Sequence, residues 1–271
     1  HLTRMSGEVS MVSALGDDDL GRRAREKALS FGINTEFVSE STDSPTGTVD
    51  VFLDADGHPD YTIHEGTAWD RLAIPEPLLG KLILREWDVI CFGTLAQRSS
   101  ANRSLLSDIL SRAKSRHVFY DVNLRQEYYT AEWITDSLAG STIVKLNDDE
   151  VREISSLLYA DRIQSPADEE AFVRKMAADY GLDSVLVTRG SGGALVYSGG
   201  VFGTTECADV EIADTIGAGD SFGAGFLAAY LCGRTALESA RLASRVADFV
   251  VSRRGAIPAY TDELAAEIAR L

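Results

Sequence analysis

The feature that most constrains this chain is a glycine-rich turn that runs directly into an apolar helix. Residues 214–220 read Asp-Thr-Ile-Gly-Ala-Gly-Asp, and the helical stretch that follows, up to Leu231, has no charged face. A helix that is apolar all round is expected to be buried. The first N–H groups of a helix have no partner within it, so a buried helix start needs something to satisfy them. The turn therefore predicts a binding site inside the protein.

The small residues of the turn favour an anion at this helix start. Gly217, Ala218 and Gly219 let a ligand approach the backbone closely, and the helix dipole attracts negative charge. Asp220 adds a carboxylate beside that anion site, which is unfavourable unless the carboxylate has a chemical task. Activation of a hydroxyl group that attacks phosphorus is such a task.

Other interpretations of the same segment fit less well. Residues 219–223 match the G-x-S-x-G elbow of α/β-hydrolases, but all four histidines precede Ser221, whereas that triad needs one after it. A dinucleotide fingerprint would need its third glycine one position before Gly223. A simple helix cap would not need acids at both ends, and no G-K-[ST] phosphate loop occurs in the chain.

Strand-like and helix-like stretches alternate along the rest of the sequence. Apolar runs at 88–92, 117–121, 141–146 and 184–188 predict buried strands, and amphipathic stretches between them predict helices. Such alternation indicates an α/β fold, a doubly wound, mostly parallel sheet with helices on both faces. Ligands of these folds bind at the carboxyl ends of the strands.

One region departs from this alternation. Residues 47–53 and 60–64 alternate in polarity on either side of an Asp-Ala-Asp-Gly turn, which predicts a β-hairpin without an intervening helix. The hairpin is either a surface decoration or a lid over a site. We therefore divide the chain into a core of residues 1–44 and 69–271 and a lid of residues 45–68. The start, residues 1–7, resembles the end of a helix, so we expect that an N-terminal segment of the fold is missing.

Charge and cysteine content restrict the function classes. With 26 Lys and Arg against 42 Asp and Glu, the net charge is −16, which argues against nucleic acid and anionic membrane surfaces as partners. No apolar run approaches the roughly 18 residues of a membrane span. Three widely spaced cysteines without a C-x-x-C motif fit a reducing environment, so we expect a cytoplasmic protein.

The D-T-x-G-A-G-D turn resembles the signature of the ribokinase-like, or PfkB, carbohydrate kinases. Shorter stretches in the same order resemble further family motifs: G-D-D-x-L-G within 12–21, D-x-N-x-R within 120–125, N-x-x-E at 147–150, a glycine-rich strand end at 187–193, and a loop at 253–258. The resemblance covers nearly the whole chain. It implies a ribokinase-like fold and an enzyme that transfers phosphate from ATP to a sugar hydroxyl group.

The resemblance also implies roles for individual residues. Asp220 is expected to be the catalytic base, with Gly217, Ala218 and Gly219 forming the anion hole. The adenosine side of ATP is expected to lie near the following residues: Thr188, Gly190, Gly193 and Ser244. The alternative for Thr188 and the two glycines is an ordinary tight turn between strands.

Two metal sites are implied in the same way. Asn147 and Glu150 are expected to hold Mg²⁺ through its water shell, although Asn and Glu at this spacing also suit a plain helix start. A monovalent cation such as K⁺ is expected near the anion hole, at the Asp214 side chain and backbone carbonyls of the following residues: Ile216, Val251, Arg254 and Ala256.

The sugar pocket is less well defined by the motifs. Candidate contacts are Asn123 and Arg125 after one predicted strand, Gln97 and Arg98 after the preceding strand, and Trp69 after the hairpin. Each of these residues could be purely structural, and Trp69 could pack the hinge of the lid. The family's first strand and its glycine-rich sugar-binding segment have no counterpart in this sequence. In relatives the hairpin is often a dimer clasp, so we expect a homodimer through Val49, Val51 and Phe52.

These observations favour an ATP-dependent sugar kinase of the fructokinase type. Within the same class, a 2-keto-3-deoxygluconate kinase would need a cation for its carboxylate, which Arg98 or Arg125 could supply, and a nucleoside kinase is a further alternative. A different class is a catalytically silent sugar-binding regulator, against which the retained Asp220 and glycine turn argue.

Overall fold

The computed structural model describes residues 1–5, 7–53 and 59–271, and their side chains outside 51–61. It is an α/β structure with a mostly parallel central sheet, as the sequence predicts. The chain divides into two units. We name Glu8–Glu86 with Ala96–Lys114 the hairpin unit, and His1–Gly7 with Trp87–Leu95 and Ser115–Leu271 the sheet unit.

Over its described residues, the hairpin unit contains two small sheets and three α-helices. Strand β1 pairs with β2 in parallel, and β3 pairs with β4 in antiparallel fashion with Val49 opposite Ile63. This confirms the predicted hairpin, whose turn at residues 54–57 lies outside the described residues. The bounds are β1 Ser13–Gly16, α1 Asp19–Ser30, β2 Val38–Ser41, β3 Val49–Leu53, β4 Pro59–Ile63, α2 Glu76–Leu84 and, after the strand β5 of the other unit, α3 Ser100–Arg112.

The sheet unit is built on six strands in the order β10-β9-β8-β7-β6-β5. Strands β6, β7 and β8 are parallel, and β9 is antiparallel to both of its neighbours, β8 and β10. A 3-10 turn at Leu2–Met5 precedes it. The bounds are β5 Glu86–Gly93, β6 Lys114–Asp121, α4 Ala131–Ala139, β7 Ile143–Asn147, α5 Asp148–Tyr159, α6 Pro166–Tyr180, β8 Ser184–Thr188, β9 Ala194–Ser198, β10 Val201–Thr205, α7 Ala218–Leu231, α8 Ala236–Val251 and α9 Asp262–Ile268.

Helices cover both faces of this sheet. Ile154 of α5 and Met176 of α6 pack with Val185 and Val187 on one face, and Phe226 of α7 packs with Leu186 on the other. Because consecutive strand residues point to opposite faces, the middle of β8, residues 185–187, is apolar at every position and buried on both sides. This arrangement confirms the predicted doubly wound core.

The strand register brings two predicted site residues, Asn147 and Thr188, to the same edge of the sheet as a charged pair that was not predicted there. Asp121 of β6 lies opposite Lys145 of β7, and Asn147 of β7 lies opposite Thr188 of β8. These are the carboxyl ends of parallel strands, where ligand sites of such folds are found. The division into a core and a separate lid at 45–68 stays a prediction, since the hairpin groups with the other elements of its unit. None of the helices that the structure describes has the length and apolar character to cross a bilayer.

Candidate active site

The start of α7 has the open geometry that the sequence predicts. Gly217 is its N-cap, with a φ of 82° and no side-chain hydrogen bond to the first turn. A Cβ atom at Gly217 would lie 2.9 Å from the Cα atom of Ala256, so only glycine fits there. From Ser221 to Ala229 the helix is buried. The helix start is therefore formed by backbone alone, as an anion site requires.

Asp220 lies on the first turn of α7 with its side chain exposed. The neighbouring Ser221 hydroxyl turns back and donates to the Ala218 carbonyl at 2.9 Å. The carboxylate of Asp220 is thus the acidic group that this helix start presents to solvent and to a ligand.

Lys145 brings a positive charge to the same place. It is 5% exposed, and its Nζ atom donates to the two carboxylate oxygens of Asp121 at 2.9 and 3.1 Å. A Cβ atom added to Gly219 would lie 3.3 Å from that Nζ atom. The ammonium group therefore lies against the glycine turn, where it adds to the attraction of the helix start for an anion.

Burial raises the pKa of Asp121, the partner of Lys145. The hydrogen-bonded Lys145 opposes this shift, and the charge of Asp220 adds to it. The charge of Arg125 also opposes the shift, so the Asp121 carboxyl group lies in a field of both signs that does not cancel the effect of burial.

Asn147 and Glu150 form a capping box at the start of α5. Each side chain accepts from the backbone N–H of the other at 2.8 Å, and the second oxygen of Glu150 accepts from the N–H of Leu124 at 2.9 Å. Burial raises the pKa of Glu150 against these hydrogen bonds. In the ranges that the structure describes, no three His, Cys, Asp or Glu side chains are grouped to hold a metal ion directly.

Asp214 joins the two loops expected to hold a monovalent cation. Its carboxylate oxygens accept from the N–H groups of Ile216 and Gly255, both at 2.9 Å. These backbone hydrogen bonds lower the pKa of Asp214. The Val251 carbonyl accepts from Ala213 at 2.8 Å, and the Ala256 carbonyl bonds to His1 at 2.9 Å. These contacts bring Asp214 to Val251 and to the loop at Gly255, and the carboxylate and the carbonyls of Val251 and Ala256 have protein partners.

Three of the residues predicted on the adenosine side lie at the end of β8 or just after it: Thr188, Gly190 and Gly193. The fourth, Ser244, lies on α8. Gly190 and Gly193 have φ angles of 51° and 77°, so the turn that they flank needs glycine. Ser244 is buried, and its hydroxyl lies 2.8 Å from that of Thr205, which ties α8 to β10. A contact between Ser244 and adenine stays a prediction.

The sugar-binding candidates fall in different units. Asn123, with a φ of 42°, and the exposed Arg125 follow β6 in the sheet unit. Gln97, which is buried, Trp69 and Arg98 lie in the hairpin unit. There the Arg98 guanidinium stacks on Trp69 and bonds to Asp70, a partner that the sequence did not predict.

Comparison with protein-family models decides the family. The model for the pfkB family carbohydrate kinases matches residues 1–263. The chain belongs to this family and is a carbohydrate kinase. It is 28% identical to the aminoimidazole riboside kinase of Salmonella typhimurium over 83% of this chain and 69% of that protein. It is 25% identical to the probable fructokinase-4 of Arabidopsis thaliana over 97% of this chain and 82% of that protein.

Solved structures give the same fold. A fructokinase with bound ATP from Xylella fastidiosa superposes with a TM-score of 0.82 at 18% identity, over 99% of this chain and 87% of that chain. An aminoimidazole riboside kinase from Salmonella enterica, complexed with aminoimidazole riboside and an ATP analogue, gives 0.79 at 23% identity, over 98% and 88%. At these identities the likeness supports the ribokinase-like fold of the kinase.

Sequence reasoning missed Lys145 of this carbohydrate kinase. The apolar run at 141–146 predicts a buried strand, and the motifs assign no role to the lysine inside it. A lysine is almost never fully buried without a partner, so its position in an apolar parallel strand was the available signal.

Proposed function

We propose that this kinase transfers the γ-phosphoryl group of ATP to a hydroxyl group of a sugar, and that the sugar is fructose. The observation that supports this most strongly is the start of α7, where backbone N–H groups, the Lys145 ammonium and the Asp220 carboxylate occur together. An anion site explains the first two groups, and a base for the acceptor hydroxyl explains the third.

In the proposed reaction, the sugar oxygen attacks the γ-phosphorus as its bond to ADP breaks. Asp220 accepts the proton of the attacking hydroxyl group, and a base positioned in this way typically contributes about 10²–10⁴-fold to the rate. The backbone at 217–220 and Lys145 stabilise the negative charge on the phosphoryl oxygens, and loss of one such donor costs about 10²–10³-fold in other enzymes.

We assign Asn147 and Glu150 to Mg²⁺ through its water shell. Their oxygens accept backbone hydrogen bonds but keep further lone pairs, which can accept from metal-bound water. When bound, the metal supplies positive charge to the phosphate groups.

We place K⁺ at the joined loops of Asp214 and Val251. Adenosine is placed by Thr188, Gly190, Gly193 and Ser244.

We assign the sugar contacts to Asn123 and Arg125. Both follow β6, directly after the Asp121 carboxylate that holds Lys145. The β3–β4 hairpin is proposed as a lid that excludes water during transfer. We further propose a cytoplasmic homodimer through this hairpin, where Val49 is 50% exposed. Val51 and Phe52, predicted in the same surface, have side chains outside the described residues.

A second candidate substrate is a riboside, because the riboside kinase of Salmonella typhimurium is 28% identical to this chain. For 2-keto-3-deoxygluconate, Arg125 is the cation that the site offers, since Arg98 is bound to Asp70. A panel of fructose, ribose, aminoimidazole riboside, adenosine and 2-keto-3-deoxygluconate with radiolabelled ATP distinguishes these substrates. We expect the highest kcat/KM for fructose. Sugar binding without transfer to any of them would indicate the silent regulator instead.

The base assignment predicts that Asp220→Asn lowers kcat at least a hundredfold and leaves ATP affinity within a factor of about three, because the helix start is intact. Initial rates and isothermal titration with an ATP analogue measure the two quantities. Asp262→Asn, which changes an exposed first-turn acid of α9, is the matched control and should leave both unchanged. Normal turnover of the Asp220 variant would remove the assignment.

A further inference from the structure

The base of the β3–β4 hairpin is held by contacts from both of its strands. Near β3, the carbonyls of Pro45 and Thr48 accept from the N–H groups of Ala68 and His64, at 2.8 and 3.3 Å. After β4, the chain makes a 3-10 turn at Ala68–Arg71, whose N-cap Thr67 forms a capping box with Asp70. The chain segments that enter and leave the hairpin are therefore hydrogen-bonded to each other at its base.

Arg98, from the segment before α3, fixes the outgoing chain. Its Nε and Nη2 atoms donate to the two carboxylate oxygens of Asp70 at 2.5 and 2.8 Å, and Nη2 also donates to the His64 carbonyl at 2.5 Å. The Arg98 and Asp70 side chains are 6% and 10% exposed. Removing Arg98 from this fork would leave the carboxylate buried without its partner, which is strongly unfavourable. The guanidinium group of Arg98 is thus bound to other groups of the protein.

Trp69 lies between Arg98 and the incoming chain. The Arg98 guanidinium carbon is 4.1 Å from the centre of the indole ring, a favourable cation–π distance. On the β3 side, a Cβ atom at Gly47 would lie 2.5 Å from the Cδ1 atom of Trp69, so the ring packs directly on the glycine backbone. The Asn102 side chain, which is 2% exposed, donates to the Trp69 carbonyl at 2.8 Å.

We propose that Trp69, Asp70 and Arg98 are positioning residues that fix the root of the β3–β4 hairpin, and that they do not touch the sugar. The stacked indole and the bidentate ion pair join the start of β3, the end of β4 and the segment before α3. A fixed root determines where the hairpin can lie, and this sets how tightly the enzyme holds its sugar. Only that last consequence rests on the proposed function.

Hydrogen exchange tests the structural part without any substrate. Lysine lacks the planar fork, so Arg98→Lys should lose the bidentate geometry while keeping the charge. We expect amides of residues 46–50 and 62–70 to exchange at least tenfold faster, with β7 and β8 unchanged. Arg112→Lys, in the exposed pair with Asp108 on α3, is the matched control. Should Arg98→Lys not fold, Trp69→Phe tests the same root. Unchanged exchange in the hairpin would overturn the proposal.

Two further measurements separate positioning from sugar contact. In a variant with Trp87→Phe and Trp133→Phe, Trp69 is the only tryptophan, and its acrylamide quenching should be the same with and without fructose and an ATP analogue. A twofold or larger protection by fructose would place the indole on the ligand and overturn the proposal.

Arg98→Lys should raise the KM for sugar at least fivefold and leave the KM for ATP within twofold. Unchanged sugar KM with faster exchange would reduce the cluster to a purely structural role. If the wild type transfers phosphate to no sugar, the proposed function fails while the exchange result still stands.

Discussion

Asp121–Lys145 in the sheet unit and Asp70–Arg98 in the hairpin unit are two ion pairs whose basic side chains are each 6% exposed. The pKa values of their carboxyl groups are shifted in opposite directions. Burial raises the pKa of Asp121, and the charges of Lys145 and Arg125 only partly offset this shift. Burial also acts on Asp70, but hydrogen bonds from Arg98 and Thr67 outweigh it and lower the pKa.

The difference shows what each pair is built for. Asp70 receives two hydrogen bonds from Arg98 and two from Thr67, so both of its carboxylate oxygens have partners within the protein. Lys145 is instead held against the glycine turn of α7, where a ligand can share its charge. A buried charge whose pKa is shifted by desolvation is costly for stability, and such a cost is typical of functional sites. We therefore expect changes in the first pair to affect turnover, and changes in the second to affect stability and hairpin order.

The largest effect is predicted for Lys145→Met, which keeps the length of the side chain and removes its charge. We expect kcat/KM to fall at least about a hundredfold, because the phosphoryl group loses a donor and Asp121 loses its partner. Steady-state kinetics on folded protein measure this. Lys175→Met on α6, where the lysine lies 4.3 Å over the Tyr159 ring, is the control for loss of a surface charge. Activity within threefold of wild type would show that the first pair is structural like the second.

A smaller effect is predicted for Asp70→Asn, which weakens the second pair without changing its shape. Hydrogen bonds to charged groups contribute about 1.5–3 kcal/mol, and we expect a loss of that order in the free energy of unfolding at pH 7. Asp108→Asn, in the exposed pair with Arg112, should cost only about 0.3–0.5 kcal/mol.

The same variant gives a pH dependence of known sign. Because the folded pKa of Asp70 is lowered, its ionised form stabilises the fold above the ordinary aspartate pKa of about 3.9. That stabilisation is lost as the pH falls through the lowered value. Urea unfolding of wild type and variant should show a constant difference from pH 7 to 5 and a shrinking difference in acid below that range. A difference that grows in acid would contradict the assigned pKa direction.

The smallest effect is predicted for Gly47→Ala, which tests the packing of Trp69 on the hairpin root. The added methyl group would meet the indole, and overpacking of this kind costs about 1–3 kcal/mol. Gly80→Ala in α2 is the matched control, since a Cβ atom there meets no atom within 4 Å. That change should stabilise the helix by about 0.5–1 kcal/mol. Equal unfolding midpoints for the two variants would mean that the indole moves away at no cost.

The backbone geometry at the start of α7 could be predicted from the sequence because its signals are local. Gly217 and Asp220 lie within a few residues, and backbone geometry over that range depends mainly on neighbouring residues. The α/β core followed from apolar strands such as Ser184–Thr188, and both predicted ends of that strand are confirmed. Fructose specificity and the metal ligands stay proposals.

Only the tertiary structure decided the partners of the buried charges. The sequence singled out Arg98 and Trp69 as sugar contacts with a structural alternative, and Asp70 lies 28 positions from the arginine that it binds. The Lys145 and Asp121 pair is 24 positions apart, and its place beneath Gly219 depends on how α7 packs on the sheet. The strength of such a pair depends on the exclusion of water and on the number of donors that converge there. Both are set by the packing of distant segments, which no local pattern of residues specifies.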